Sequence, residues 1–468
     1  MHSNHLKISH VSMFKLLSKF FSCLVHGYLP SNMTFGVLLP LIKDKFEPEE
    51  DIQNYRPIIS SSVILKLFEY CLKYKISKYV NICDKQHGFR PQHSTSTACL
   101  TLKEVVTKYN KRGSNVYAAF VDLSKAFDKI NHYKLMDSLI DKGVPHFYVN
   151  ILLYFYRNQL ISTKHQNEMS SSWKIGNGVR QGGILSPFLF NIYVDGLIDN
   201  ISRYRTGCFF GIKSCNIIAY ADDMVLLSPS KSGLQKLLHI FGYKAKELNL
   251  TINTDKTVCM NFKVNNSSAI DPCLTLDGKV LRNVNKYKYL GFMIDEFLNN
   301  DLDIVRCRNK FYNEFNSILR KFSGVDHNVF MKLFESYCIG FYGSELWFNN
   351  KRCGVPLKQF GVGYHKAIKK IFGFKYWESN HKVCEMAGVK NFIQHLNWQK
   401  IRFVYRLLLR PPAFIDKCIN YFMENAFIVK EVKVILLNAY DIESLLGNDI
   451  DAIKSRIFFK QHREPTLR

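Results

Sequence analysis

Two short apolar runs separated by a tight acidic turn are the feature of this chain that most restricts its fold. Residues 217–220 and 224–227 have the composition of two strands, and Ala221-Asp222-Asp223 joins them. The pattern predicts a hairpin with two carboxylates at its tip. Adjacent carboxylates are costly unless a positive charge neutralises them, but most such pairs in turns are simply solvated. The pair alone therefore gives weak support for a metal site.

A third carboxylate follows another apolar strand. Residues 116–121 have the composition of a buried strand, and Asp122 comes directly after it, where its side chain can leave the sheet edge. Magnesium prefers carboxylate oxygens. Joining a primer 3′-hydroxyl to a nucleoside triphosphate uses two such ions about 3.5–4 Å apart. Asp122, Asp222 and Asp223 would supply the ligands if their strands are neighbours.

The charge balance favours a polyanionic partner. The chain has 64 Lys plus Arg against 39 Asp plus Glu, a formal net charge of +25. Nucleic acid or an acidic membrane surface fits this excess, and a basic protein with neither partner is the alternative. Thirteen cysteines without a C-x-x-C pair argue against a zinc ribbon and a disulfide scaffold. No apolar run reaches the ~18 residues of a membrane span. We expect a soluble, intracellular protein, in the nucleus or the cytoplasm, with no membrane partner.

Hydrophobic periodicity predicts a mixed α+β chain. Helical spacing occurs over residues 10–27, 60–82, 187–202, 234–248 and much of the chain after residue 300, where the helices are basic. Strand patterns occur over residues 37–42, 116–123 and 257–262. We expect Ser186 to cap a helix whose first position is Pro187, and Asp277-Gly278 to form a two-residue hairpin turn.

Seven short blocks follow one another in order between roughly residues 35 and 295. They are Asn-Tyr-Arg-Pro-Ile (54–58) with Leu-Lys-Leu-Phe-Glu (65–69), Gln-His-Gly-Phe-Arg-Pro (86–91), Phe-Val-Asp-Leu-Ser-Lys-Ala-Phe-Asp (120–128), Gly-Val-Arg-Gln-Gly-Gly-Ile-Leu-Ser-Pro (178–187), Ala-Tyr-Ala-Asp-Asp (219–223), residues 250–257, and Lys-Tyr-Lys-Tyr-Leu-Gly (286–291). Together they resemble the reverse transcriptase family, and within it the non-LTR (LINE-type) retrotransposon branch.

The resemblance implies a right-hand polymerase of the α+β class. Residues 1–29 would be a helical extension, and residues 30–295 would form fingers and palm. The antiparallel palm sheet would be backed by the helices at 187–202 and 234–248. Residues 296–410 would form a helical thumb that binds duplex phosphates. The pattern gives no role to residues 411–468.

The implied activity is RNA-directed DNA synthesis by a two-metal mechanism. Its partners would be an RNA template, a DNA primer or target, and deoxynucleoside triphosphates. Two Mg²⁺ ions, with Mn²⁺ as an alternative, would be held by the catalytic residues Asp122, Asp222 and Asp223, which match the metal-binding carboxylates of the family.

The resemblance also implies roles around the nucleotide. Phe127, five residues past Asp122, would lie beneath the incoming sugar and exclude a 2′-hydroxyl, and Gln181 would lie under the nucleotide. Other matched residues are Lys43 and Arg56 for the triphosphate, Lys256 as proton donor or hairpin support, Arg90 for the template, Gly182 and Gly183 for close backbone approach, and Tyr289, Leu290 and Gly291 for the primer end. The alternatives are that Phe127 is an ordinary core aromatic, that Gly182 and Gly183 form a turn before a helix, and that Lys43 and Arg56 are surface cations.

Three other interpretations remain open at this stage. One is another reverse transcriptase branch, of group II intron or telomerase type. A viral RNA-templated RNA polymerase would more often carry Gly in place of Ala221. The third is a domesticated or truncated relative that binds nucleic acid without activity. Neither an endonuclease nor a cysteine-histidine knuckle is recognisable, so we expect the chain to extend a supplied primer but not to prime on intact DNA.

Overall fold

The computed structural model describes residues 3–26, 30–264, 273–347, 354–418, 422–424 and 426–437. The helices are α1 (Ser3–Lys7), α2 (Val11–Val25), α3 (Ser31–Thr34), α4 (Val63–Ile76), α5 (Thr95–Asn110), α6 (His132–Asp141), α7 (His146–Arg157), α8 (Ser186–Arg203), α9 (Lys231–Glu247), α10 (Asp301–Lys321), α11 (His327–Tyr337), α12 (Gly354–Phe372), α13 (Asn380–Met386), α14 (Phe392–Leu409), α15 (Ala413–Lys417) and α16 (Phe427–Leu437). The strands are β1 (Phe35–Ile42), β2 (Tyr55–Ser60), β3 (Val116–Val121), β4 (Leu160–His165), β5 (Glu168–Met169), β6 (Trp173–Lys174), β7 (Phe209–Phe210), β8 (Lys213–Ser214), β9 (Ile217–Tyr220), β10 (Asp223–Ser228), β11 (Val258–Phe262), β12 (Thr275–Leu276), β13 (Lys279–Val280), β14 (Arg282–Asn283), β15 (Lys286–Tyr289) and β16 (Phe292–Asp295).

A five-stranded central sheet forms the middle of the molecule, in the order β14-β11-β3-β10-β9. Strands β11, β3, β10 and β9 are antiparallel to their neighbours, and only β14 pairs in parallel. Strand β3 lies between β10 and β11, with Val121 opposite Met224. The turn between β9 and β10 therefore comes to the same edge of the sheet as the residue that follows β3.

Successive side chains of a strand point to opposite faces of its sheet, and both faces of the central sheet are covered. Ala119 and Val121 face one core, which α8 and α9 complete. Ala118 and Phe120 face a second core, built with α5 and with buried residues of α14, α15 and α16. Burial on both faces explains why β3 and β10 are nearly continuous apolar runs rather than alternating ones.

A second five-stranded sheet, the N-terminal sheet, lies on the other side of the cleft described below. Its order is β2-β1-β4-β5, with β6 also paired to β4. Strand β1 is antiparallel to β2 and parallel to β4, so residues 35–42 are its middle strand. The charged segment after β1 is closed by Asn54, whose side chain accepts from Asp44 N at 3.0 Å and donates to Asp44 O at 2.8 Å.

Helices α10 to α14 have a separate core, rich in aromatic side chains. It is joined to the central sheet region by buried polar contacts. Lys103 Nζ donates to Asn300 Oδ1 at 3.0 Å and to Leu346 O at 3.1 Å, and Ser96 Oγ donates to Glu345 Oε1 at 2.5 Å. Within the described ranges, no helix combines the length and apolar composition that crossing a bilayer requires.

Most of the predicted elements are confirmed, with two corrections. The helix predicted over residues 60–82 begins at Val63 and ends at Ile76, since Ser62 caps it by accepting from Leu65 N at 3.1 Å. Ser186 does not cap α8. Leu185 holds the cap position without a side-chain hydrogen bond, and Ser186 is already helical. The hairpin at Asp277-Gly278 and the antiparallel sheet backed by α8 and α9 are confirmed.

Candidate active site

The three predicted carboxylates lie at one edge of the central sheet. Asp122 follows β3, Asp222 occupies the turn, and Asp223 begins β10 next to β3. Burial raises the pKa of each one. For Asp223 the pKa reaches about 6, with the charges of Asp222 and then Asp122 adding to the effect of burial. The mutual repulsion makes this edge an unfavourable place for three anions and a favourable one for a cation.

The carboxylates are near one another without already forming a coordination shell. Among the described residues, no three His, Cys, Asp or Glu side chains are close enough to hold a metal ion as they stand. The donor set nevertheless fits Mg²⁺ in chemical type, because all three are hard oxygen ligands that no neighbouring ion pair fully neutralises.

Asp122 is fixed through its backbone by the segment that precedes β11. Its N–H donates to Thr257 Oγ1 at 3.2 Å, and its carbonyl accepts from Asn253 N at 2.9 Å. Lys256 belongs to the same segment, and its charge opposes the rise in the pKa of Asp122. The predicted block at 250–257 thus supports the acidic end of the central sheet as well as supplying a cation.

A cleft of about 1520 Å³ lies between the N-terminal sheet and the catalytic edge. It collects nine of the predicted site residues, of which Lys43 comes from the segment after β1 and the other eight come from five of the sequence blocks. Those that line it are Lys43, Arg56, Asp122, Phe127, Gln181, Gly182, Gly183, Asp222 and Lys256. The lining therefore combines two of the three predicted carboxylates with three of the predicted cations, and Asp223 is not part of it.

The cations in the cleft influence one another. The pKa of Lys43 is lowered by burial and then by the charges of Lys256, Arg56 and Lys125, while Asp128 opposes the shift. Lys43 Nζ donates to Gln53 O at 2.6 Å, which holds its side chain along the rim. Several positive charges close together around Lys43 create a local positive potential that suits an anionic ligand.

Phe127 has a fixed position on the cleft floor. Its ring stacks on Phe190 of α8, with centroids 4.5 Å apart and planes inclined by 15°. Its carbonyl accepts from Val179 N at 2.9 Å, so the block at residues 120–128 is joined at this residue to the loop at residues 178–184, here called the platform loop. Phe127 is half-buried and still lines the cleft, so it is both a core aromatic and a cleft residue.

The platform loop is tied to the N-terminal sheet. Gln181 O accepts from Ile59 N at 2.7 Å. Gly182 has φ 112°, and a Cβ there would lie 2.8 Å from Ile59 O, so glycine is required by both conformation and space. Glu69 of α4, for which the sequence analysis predicts no role, accepts from Ile184 N at 2.7 Å.

Other predicted residues lie outside the cleft lining. Arg90 donates from Nη1 to Cys83 O at 2.6 Å and to Gln86 O at 2.9 Å, which gives it a structural role in its own loop. Tyr289 is 3% exposed and packs in the second core beside Phe120, so its side chain is internal. Leu290 and Gly291 form the turn between β15 and β16, where Tyr342 Oη donates to Leu290 O at 2.9 Å. Their template and primer roles stay predictions.

Comparison with known proteins identifies the class that this fold and site define. Residues 43–294 match the sequence profile of the family described as Reverse transcriptase (RNA-dependent DNA polymerase), and the chain belongs to that family. Its relatives are the reverse transcriptases of non-LTR retrotransposons, at a distant level.

Two relatives show the extent of the similarity. The chain is 28% identical over 249 residues to the Pol polyprotein of the type-2 retrotransposable element R2DM of Drosophila melanogaster, covering 51% of this chain and 23% of that protein. It is 26% identical over 302 residues to the RNA-directed DNA polymerase of the mobile element jockey of the same species, covering 62% of this chain and 32% of that protein. The chain thus spans less than a third of the length of either relative.

Solved structures with a similar trace include telomerases. The apo telomerase of Candida tropicalis aligns over 95% of this chain and 74% of that chain, with a TM-score of 0.44 and 11% identity. A Candida albicans telomerase in complex with a fragment of telomeric RNA aligns over 81% and 68%, with a TM-score of 0.40 and 14% identity.

Proposed function

We propose that this chain is an RNA-directed DNA polymerase that extends a primer 3′-hydroxyl with deoxynucleoside triphosphates. The observation that carries the proposal is the composition of the cleft between the N-terminal sheet and the acidic turn. It combines the carboxylates of Asp122 and Asp222, the cations of Lys43, Arg56 and Lys256, and the ring of Phe127. Nucleotide transfer requires this combination, because the substrate has a polyphosphate, a sugar and a hydroxyl to be activated.

Asp122, Asp222 and Asp223 would hold the Mg²⁺ ions. When bound, two such ions lower the pKa of the primer hydroxyl and neutralise charge on the phosphates. Burial, with the charges of Asp222 and Asp122 added to it, raises the pKa of Asp223 to about 6, and a bound cation would offset both effects, so these residues fit the ions.

The cations of the cleft would bind the triphosphate. Lys43 and Arg56 approach from the N-terminal sheet and Lys256 from the segment beside Asp122, so the phosphates would be held from two sides. Charge-assisted hydrogen bonds from Lys and Arg are the strongest available to phosphate oxygens. Lys256 is the candidate to protonate the departing pyrophosphate, since it is the cation whose charge acts directly on the Asp122 carboxylate.

Phe127 would select the sugar. Its ring cannot move downwards because Phe190 stacks beneath it at 4.5 Å. A ribose 2′-hydroxyl placed over this ring would lose its hydrogen bonds and meet carbon atoms, whereas a deoxyribose would not. Gln181 would lie beside the nucleotide, oriented by its side-chain contact with Asp128.

The domain roles are part of the same proposal. We assign fingers and palm to residues 30–295, and a thumb to residues 296–410. Helix α10 begins at Asp301, six residues after the end of β16. Helices α10 to α14 have a core of their own. Exposed lysines on these helices would contact the phosphates of the template–primer duplex.

Primer extension by the purified chain tests the proposal. An RNA template with an annealed DNA primer is incubated with deoxynucleotides and Mg²⁺, and a parallel reaction contains EDTA. We expect a DNA product that reaches the template end, and none with EDTA. Tight binding of the template–primer with no product in Mg²⁺ or Mn²⁺ would instead support a binding protein that has lost activity.

A further inference from the structure

A loop from a distant part of the chain pairs with the outer edge of the catalytic hairpin. Lys85 O accepts from Ala219 N at 3.0 Å, and Ala219 O accepts from His87 N at 2.7 Å. Gln86 and Ala219 thereby form an isolated parallel bridge on β9. Strand β9 is the outermost strand of the central sheet, and this bridge pairs its outer side at Ala219, two residues before Ala221 of the acidic turn.

The side chain of Gln86 continues this contact into the turn itself. It is 0% exposed, and its Oε1 accepts from Ala221 N and from Gly88 N, both at 2.8 Å. Ala221 is the residue before Asp222 and has φ 55°, in the left-handed region. That conformation costs a non-glycine residue about 1 kcal/mol or more, so it persists only where its surroundings hold it.

The loop approaches the turn so closely that a side chain at Gly88 has no room. A Cβ at Gly88 would lie 2.3 Å from Ala221 N. Glycine is therefore needed here for close backbone contact rather than for its conformational freedom. The turn is held from one side by the Gln86 amide and bounded on the same side by the Gly88 backbone.

Helix α8 anchors the loop in the protein core. Asn191 Nδ2 donates to Gly88 O at 2.7 Å, and Asp195 Oδ1 accepts from Cys83 N at 2.6 Å. Both side chains are 1% exposed. The loop from Cys83 to Gly88 thus connects a buried helix to the acidic turn through hydrogen bonds at both ends.

We infer that Gln86 is a positioning residue that fixes the Ala221 turn and thereby holds the Asp222 and Asp223 carboxylates near Asp122. The inference rests on the proposed function, because it assigns Gln86 a role in metal-dependent synthesis. Its physical reason is that three carboxylates at one sheet edge repel one another, and a turn held only by its own strands would relax to separate them. Gln86 touches neither substrate nor ion and acts through the backbone of Ala221.

The test compares Gln86→Met with Gln159→Met. Methionine keeps the size of the side chain and removes the accepting oxygen. Gln159 is also 0% exposed, and neither of its side-chain polar atoms has a hydrogen-bond partner within the described part of the chain, so it is a matched control. Hydrogen–deuterium exchange of the peptide spanning residues 217–224 reports on the turn, and a Mg²⁺ titration of primer extension reports on the carboxylates.

For Gln86→Met we expect faster hydrogen–deuterium exchange in this peptide. We also expect the Mg²⁺ concentration that gives half of the maximal extension rate to rise about tenfold, which is the size of effect that the loss of one buried hydrogen bond produces. Template–primer affinity should stay within about twofold of wild type, since no nucleic-acid contact is removed. If Gln86→Met does not fold, Gln86→Asn, one methylene shorter and still polar, takes its place.

The outcomes separate this inference from the proposed function. Unchanged exchange in Gln86→Met overturns the inference, and so does faster exchange with an unaltered Mg²⁺ requirement. An equal change in Gln159→Met would show a general loss of core stability and would also overturn it. A wild-type chain without synthesis refutes the proposed function and, with it, any catalytic role for Gln86, whereas the exchange result still decides whether Gln86 holds the turn.

Discussion

Gln181 Nε2 donates a hydrogen bond of 3.0 Å to Asp128 Oδ1, and this contact joins the platform loop to the catalytic block. Asp128 lies six residues past Asp122, and burial raises the pKa of its carboxyl, while the bond to Gln181 and the charges of Lys125 and Lys43 oppose that rise. Because this hydrogen bond holds the Nε2 atom of Gln181, the Oε1 atom of the same amide has a defined direction in the cleft. Asp128 lies in the cleft lining through a contact that its sequence block does not predict, so the structure adds it to the candidate site.

Loss of this contact should affect nucleotide binding more than chemistry. In Asp128→Ala, Gln181 would be free to rotate, and we expect KM for the deoxynucleotide to rise about fivefold to tenfold, the equivalent of one hydrogen bond. The value of kcat should change less. Steady-state extension by one nucleotide measures both, with Asp137→Ala on the exposed face of α6 as control. A lower kcat with an unaltered KM would contradict this role.

Truncation of Phe127 should relax sugar selection. Phe127→Val removes the ring that stacks on Phe190 and opens space beside the sugar. We expect the ratio of kcat/KM for ribonucleotides to that for deoxyribonucleotides to rise about tenfold or more. Phe147→Val is the control, because Phe147 is 44% exposed on α7 and does not line the cleft. An unchanged ratio in Phe127→Val would mean that another residue guards the 2′ position.

The catalytic edge was predictable because its signals are local. The apolar run at residues 116–121 places Asp122 at the end of β3, and the hairpin pattern places Asp222 and Asp223 in one acidic turn. Their adjacency required only that β3 and β10 be neighbours, which the register confirms. The contact of Gln86 with Ala221 could not be predicted in this way, because it joins residues 135 positions apart through a side-chain amide and leaves no periodicity.

The C-terminal region was missed for a similar reason. Residues 411–468 gave no pattern, yet α15 and α16 complete the second core of the central sheet. Their anchors are single long-range contacts, such as Lys417 Nζ to Asp84 Oδ2 at 2.7 Å and Phe427 N to Glu104 Oε1 at 2.8 Å. Residues 438–468 lie outside the described part of the chain.

Activity should fall in mildly acidic solution because protons compete with Mg²⁺. The pKa of Asp223 is about 6, so its carboxylate is neutralised below that pH in the absence of the ion. We expect the Mg²⁺ concentration for half-maximal rate to rise about tenfold between pH 7 and pH 5. Titrations at several pH values measure this, and a constant Mg²⁺ requirement across the range would contradict the assignment.

The raised pKa of Asp223 also makes the stability of the folded protein depend on pH. The dependence has the opposite sign to that of an acid in an ion pair, whose pKa is lowered. The folded pKa of about 6 lies above the ordinary value of 3.8, so the folded state favours the protonated form. The metal-free protein should therefore lose this contribution as pH rises from about 4 to about 6, and Mg²⁺ should restore it above that window. Thermal unfolding with and without Mg²⁺ at pH 5 and pH 8 provides the comparison.

Neighbouring lysines on α12 should have different functions. Lys369 is 8% exposed, and its Nζ donates to Tyr376 O at 3.0 Å and to Glu378 O at 2.7 Å, whereas Lys370 is exposed. Lys369→Met should lower the free energy of unfolding by about 1–3 kcal/mol, because two carbonyls lose their donor. Its binding of template–primer should keep the same salt dependence.

For Lys370→Met we expect the reverse. Stability should stay within about 0.5 kcal/mol of wild type. The slope of log binding constant against log salt concentration should fall by about 1, as for one lost phosphate contact. Denaturant unfolding and salt titrations of binding decide between the two roles. An unaltered slope in Lys370→Met would remove this position from the proposed thumb surface.

The central claim is that the acidic edge is a metal-dependent polymerase centre, and Asp222→Asn tests it most directly. The substitution keeps the shape of the side chain and removes one charge from the cleft, where Asp222 lies beside Asp122. Single-turnover addition of one deoxynucleotide to a primer on RNA is measured with saturating Mg²⁺, and Asp137→Asn on α6 is the matched control. We expect the rate to fall on the order of 10³-fold in Asp222→Asn, with template–primer binding unchanged, since an amide cannot replace a metal-bound charge. Extension by Asp222→Asn at more than about a tenth of the wild-type rate would contradict the account, because so small a loss equals only about 1.4 kcal/mol.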